Sequence, residues 1–198
     1  MGNTLSAPKF YLVMVSALML ASFSACNETY TPKPRGFFRI TFPKHEYRKY
    51  DAGDCPYSFE IPVYANVSAY HDSTSQPCWK YILFPRFNAE IFLSYLPVKG
   101  GDAQQYFEDA RTLAYKHAVK ADAIDETILH AGPGVTGMIY DIGGAAASSV
   151  QFFVTDSTRN FIRGALYFNV PPQPDSLAPV VAFLRSDIER MMLTTTWK

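Results

Sequence analysis

The sequence predicts an α+β protein, an antiparallel sheet packed against two long helices. Three observations lead there. Short stretches alternate apolar and polar residues at a spacing of two, the period of a half-buried strand. Tight polar turns join neighbouring stretches, so the strands run antiparallel. Two longer segments, one in mid-chain and one near the C-terminus, carry apolar residues at helical spacing. The order is strands, helix, strands, helix, which suits α+β better than a regular βαβ alternation.

Ahead of these elements lies the run FYLVMVSALMLASF (Phe10–Phe23), with Lys9 the only charged side chain before it. At 14 residues it is too short for a bilayer span, which takes about 20. A short apolar run with a basic flank and small residues at its end reads as an export signal. Ser24-Ala25-Cys26 is the pattern that lipoprotein processing takes, with the thiol as acceptor of the diacylglycerol; Phe23 stands where Leu is more usual. Residues 1–25 are therefore expected to be a lipoprotein signal peptide and Cys26 the lipid-attachment (palmitate-bearing) residue. The alternative is an ordinary signal peptide with a chance cysteine. Residues 26–36, with Pro32 and Pro34, read as an extended tether at about 3.1 Å per residue. Residues 37–198 are expected to form one α+β domain.

Within that domain, Phe37–Phe42 alternates weakly and predicts a first strand ended by Pro43. Tyr47–Pro56 is polar and reads as turns. Ser58–Val63 places Phe59, Ile61 and Val63 on one face. Trp79–Phe84 is apolar on both faces, as a covered strand would be. Ala89–Tyr95 follows it across the turn Pro85–Asn88, making a hairpin. Gly100-Gly101 breaks the pattern, and Asp102 with Gln105 approximates a capping box. The helix stripe then runs through Phe107, Ala110, Leu113, Ala114, His117, Ala118 and Ala121. His117 on that stripe reads as packing, not as a ligand.

Gly132, Gly134 and Gly137 match G-x-G-x-x-G in spacing. A dinucleotide site needs those glycines between a strand and a helix N-terminus. Here a short Ile-Leu segment precedes them and the strand around Met138, Tyr140 and Ile142 follows, so they read as a turn. Ala145–Val154 and Asn160–Val170 form the clearest hairpin, closed by Asp156–Arg159. Asp175-Ser176 opens the last helix. Leu177, Val180, Val181, Leu184, Ile188, Met191 and Met192 make its apolar stripe, with Arg185, Asp187, Glu189 and Arg190 facing water. Trp197 is placed to pin the C-terminus. The layout resembles the Mog1/PsbP-like α/β sandwich.

Removing residues 1–25 from the 198 leaves 173, enough for one domain with its own core. The mature charge is 17 basic against 18 acidic residues, because Lys9 leaves with the signal. That balance gives no electrostatic case for nucleic acid. Cys55 and Cys78 remain. Export favours a disulfide between them, against the alternative of two buried thiols. Neither has a partner at zinc spacing, so no metal ligands are assigned. Ser148-Ser149 lacks a G-x-S-x-G frame. His45, His71, His117 and His130 are scattered; His71-Asp72 is a weak base-and-carboxylate pair. Asp141 stands out inside an apolar strand and reads as a solvent-face residue. No catalytic or cofactor-binding residue is assigned.

The segments YTPKPRGFFRI (Tyr30–Ile40), CPYSFEIP (Cys55–Pro62), LAYKHAVKADAI (Leu113–Ile124), AASSVQFFVTDSTRNFIRGALYFN (Ala146–Asn169) and DSLAPVVAFLRSDI (Asp175–Ile188) resemble the gliding motility lipoprotein GldD family. The resemblance implies a non-enzymatic envelope lipoprotein that supports gliding, a machinery linked to type IX secretion, with other envelope proteins of that machinery as partners. It carries the lipid anchor onto Cys26. The expected location is the outer membrane, facing the periplasm. The alternative function is an envelope hydrolase or ligand-binding module using a sheet–helix pocket.

Overall fold

The two hydrophobic faces of one large antiparallel sheet organise the protein, and each takes a different helix. The computed structural model describes residues 8, 11, 12, 14, 15, 39–70, 76–116, 120–132 and 134–198. Two compact units divide it, Met1–Arg39 and Ile40–Lys198. In the first, Pro8, Tyr11, Leu12, Met14 and Val15 are helical. No helix among the described residues is long and apolar enough to cross a membrane. Cys26 lies outside the described residues, as do His71 and His117.

In the second unit, β1 (Tyr47–Asp51), β2 (Tyr57–Pro62) and β10 (Thr196–Trp197) form a small sheet in the order β1-β2-β10. The large sheet is built from β3 (Asn66–Ala69), β4 (Lys80–Phe84), β5 (Ala89–Pro97), β6 (Ala121–His130), β7 (Thr136–Gly144), β8 (Ser148–Thr155) and β9 (Asn160–Phe168). Its order is β3-β4-β5-β9-β8-β7-β6, and every pairing is antiparallel. Helix α1 (Asp102–Tyr115) follows β5 and α2 (Pro174–Leu193) follows β9. This is the α+β class that the pattern predicts.

Alternation along the strands assigns the two faces. Ile82, Ile91, Leu93, Ile139, Val150, Phe152, Val154, Ile162 and Leu166 share one core with Val180, Leu184, Ile188, Met191 and Met192 of α2 and with Tyr57, Phe59 and Ile61 of β2. The opposite face gives Tyr140, Ile142, Phe153 and Phe161 to Ala110 and Ala114 of α1. Small alanines let α1 lie close to the strands. At Gly164 an added Cβ would meet the Phe152 ring at 2.1 Å, so only glycine leaves room for that ring across β9.

Several details depart from the sequence expectations. Arg39–Glu46 is irregular, and the first strand is β1, inside the stretch read as turns. The ladder to β2 makes that strand, and as a sheet edge it needs only Tyr47 and Tyr50 half-buried. Ser58 is buried and Val63 is exposed, because the strand ends at Pro62 and its second face is covered too. α1 has Gly101 as its N-cap with no side-chain cap, since Gln105 bonds Asp109 instead. It ends at Tyr115, and Ala121 already belongs to β6, a ten-residue strand where only a short Ile-Leu segment was expected. Asp187, expected in water, is 2 % exposed.

The turns agree with expectation. Pro85–Phe87 forms a 3-10 turn closed by Asn88 at positive φ. Gly132 and Gly134, both at positive φ, close the β6–β7 hairpin, while Gly137 lies in β7. Trp197 pairs with Tyr57 and holds the C-terminus on β2. A disulfide joins Cys55 and Cys78, with Cα atoms 5.5 Å apart, tying the start of β2 to the start of β4.

Candidate functional site

The irregular segment before β1 leads into a concentrated polar cluster. Thr41 accepts a bond from Arg86 at the β4–β5 turn, at 2.6 Å. Phe42 stacks on Phe183 of α2, with ring centroids 4.6 Å apart, and leans on Phe87. Pro43 then turns the chain so that His45 reaches the middle of α2.

There His45 Nδ1 donates to Asp187 Oδ1 at 2.8 Å. Tyr47 donates its hydroxyl to the same oxygen at 3.0 Å, and Tyr64 donates to Oδ2 at 2.5 Å. Three ring donors therefore converge on one buried carboxylate. That is the condition under which a buried charge is tolerable. Arg190 lies over the Tyr47 ring, 5.5 Å from its centroid, and bonds Glu60 on β2 at 2.8 Å. Phe183 stacks on both His45 and Tyr64, so the cluster is roofed by aromatic rings.

The chemistry of this arrangement is that of a clamp. Burial, and then the bond and charge of Asp187, push the Tyr47 hydroxyl up to about 12. The same causes raise Tyr64. At neutral pH both phenols keep their protons and act as donors to Asp187. Oδ1 takes two protein donors and Oδ2 one.

The second polar set is Asp141 on β7 with Arg185 and Glu189 on α2. Arg185 Nε donates to both oxygens of Asp141 at 2.8 and 2.9 Å, and Nη1 reaches Glu189 at 3.0 Å. Asp141 is thus an ion-pair partner between sheet and helix, not a free solvent-face carboxylate. His130 is exposed at the end of β6. Ser148 is buried and donates to Val150 O, so it is spent on its own bulge.

A groove with a cavity volume of about 150 Å³ lies between the N-terminal turns of α2 and the ends of β7, β8 and β9. Ile142, Ala146, Phe168, Val170, Leu177 and Val181 supply most of its lining; Ser149 and Gln173 are its polar side chains. Such a lining offers van der Waals contact and little to orient a substrate. Among the described residues, no three His, Cys, Asp or Glu side chains come together as metal ligands.

The family model of the gliding motility lipoprotein GldD matches residues 27–197. The chain belongs to that family. The match spans residues 27–36 of the expected tether and all of the second unit but Lys198, and it makes this protein a gliding motility lipoprotein of the cell envelope. No curated protein matches the chain. Among solved structures the chain is similar to the solution structure of cyanobacterial PsbP (CyanoP) from Synechocystis sp. PCC 6803. That similarity has 11 % identity and a TM-score of 0.45, over 84 % of this chain and 99 % of that one.

Among the described residues, His45 is the histidine brought into the cluster. Sequence reasoning missed Asp187, Tyr47 and Tyr64. One signal was present: Asp187 falls three residues after Leu184 and next to Ile188, on the apolar stripe itself, where a carboxylate needs partners.

Proposed function

We propose that this GldD-family lipoprotein is a non-enzymatic accessory of the gliding machinery and of the type IX secretion linked to it. It is held by a lipid on Cys26 at the outer membrane, facing the periplasm, and stabilises other envelope proteins of that machinery. The observation that carries this reading is the clamp. The chain that leads from the anchor is fixed at its root to Asp187, in the middle of α2, by His45, Tyr47 and Tyr64. A load arriving through the tether is delivered to the core. The Cys55–Cys78 bond adds a covalent tie between the two sheets, suited to an oxidising space.

The alternative, a hydrolase or ligand-binding module, finds no converging polar groups in the groove beside α2; the hollow between α1 and the sheet, lined by Glu108, Arg111, Glu126 and Tyr140, is the place it would use. Deletion with complementation tests the choice. Loss of the protein stops gliding, and Asp141→Asn, His71→Ala or Ser149→Ala restores it as well as the natural chain does. A single one of these substitutions that abolished gliding, with folding and membrane attachment intact, would contradict a non-enzymatic role.

A further inference from the structure

The large sheet ends in β6, and that edge has the properties of a docking strand. β6 is ten residues long, and among the described residues it has a neighbour on one side only. Folded proteins blunt such edges with proline, lysine, bulges or short length. β6 contains no proline, lysine or arginine, and its one register irregularity lies between Ala121 and Ile124. From Ile124 to His130 it pairs with β7 residue by residue.

The free backbone groups can be identified. Ala131 donates its N–H to Val135 at 3.0 Å, just beyond the His130–Thr136 pair. Hydrogen-bonded and non-hydrogen-bonded pairs alternate along an antiparallel ladder. Leu129, Thr127 and Asp125 therefore bond to β7, while His130, Ile128, Glu126 and Ile124 turn their N–H and C=O groups outward.

Charge specifies what fits there. Asp125 stands directly across from Asp141, a like-charge pair that destabilises a ladder. Arg185 is engaged by Asp141 and Glu189, and no ion pair of Asp125 occurs among the described residues. Glu126, on the other face, already accepts from the Tyr115 hydroxyl at 3.0 Å, and Asp122 precedes. Ile128 is 59 % exposed on the same face as Glu126. A strand laid along this edge meets the Asp125 carboxylate on one face and the exposed Ile128 side chain on the other.

We propose that β6 is a β-augmentation site that takes an extended basic segment of a partner protein, with Lys or Arg on the Asp125 face and apolar residues against Ile128 on the other. The proposal rests on the partner-binding reading above. It is separable from it, because loss of gliding on deletion tests that reading, whereas amide exchange tests the edge.

The experiment uses the full chain in detergent micelles and a soluble eight-residue peptide alternating Lys and Val. The amides of Glu126, Ile128 and His130 slow in hydrogen exchange by tenfold or more on peptide addition, while Asp125 and Thr127 change little. A Glu–Val peptide gives no such slowing. Ile128→Pro removes one outward donor without touching the β7 ladder, and the slowing is lost. The double change Asp125→Lys with Glu126→Lys switches the preference to the Glu–Val peptide, which keeps the test decisive if Ile128→Pro fails to fold. Unaltered exchange with the Lys–Val peptide, equal slowing by both peptides, or an unswitched preference in the double variant would overturn the proposal.

Discussion

The imidazole of His45 lies 2.8 Å from the carboxylate of Asp187, across 142 positions of sequence, and the Asp187 side chain is 1 % exposed. This bond joins the irregular segment before β1 to the last helix.

Replacing Asp187 by Ala leaves the Tyr47 and Tyr64 hydroxyls and the His45 N–H without their shared acceptor. Breaking such a buried charged network costs about 2–4 kcal/mol. For a domain of this size that is a fall of roughly 5–15 °C in Tm. Thermal unfolding followed by circular dichroism measures it, and limited proteolysis within residues 40–46 should accelerate in parallel. His45→Ala costs less, since that side chain is 38 % exposed.

Gly164 faces the Phe152 ring with no room for a Cβ. Gly164→Ala should destabilise by about 1–3 kcal/mol through overpacking. A second change, Phe152→Leu, should recover part of the loss by clearing the ring. Urea titration of the single and double variants reads the coupling between them.

Reducing the Cys55–Cys78 bond, whose partners are 23 positions apart, removes a constraint on the unfolded chain. The expected loss is about 3 kcal/mol in the loop-entropy account. Denaturant midpoints with and without a reductant measure it, and the Cys55→Ala, Cys78→Ala double variant should match the reduced protein.

At the β8–β9 turn, burial pushes the Asp156 carboxyl up. Donation from the backbone of Arg159, Asn160 and Thr158 and from the Asn160 side chain outweighs it and brings the group down to about 2. Its folded value lies below its ordinary 3.8, so the stability it supplies is present above that value and is lost as pH falls toward 2. Asp156→Ala should flatten the pH dependence of stability between about 4 and 2. Chemical denaturation at stepped pH shows whether the slope disappears.

The β8–β9 hairpin was plain in the sequence because Val150, Phe152, Val154, Ile162 and Leu166 alternate and Asp156–Arg159 supplies turn chemistry. α2 was legible for the same reason at helical spacing. β1 and β6 were not. Both are sheet edges, and an exposed edge strand needs no apolar alternation, so YRKYD and ADAIDETILH carry little strand signal. Asp187 was misplaced because Arg185, Glu189 and Arg190 around it form an ordinary charged face. Its donors lie 123 to 142 positions away, where no local pattern connects them. Asp141 was noticed in its strand, but its pairing with Arg185 spans 44 positions and was equally out of reach.

If the lipoprotein works from a lipid on Cys26, as we propose, gliding depends on that residue. Gliding and membrane partitioning of cells carrying Cys26→Ala in place of the natural chain test it most directly. The account predicts an unprocessed or soluble protein, no acyl label on it, and cells that do not glide. Normal gliding by cells whose protein partitions wholly into the aqueous phase would contradict it.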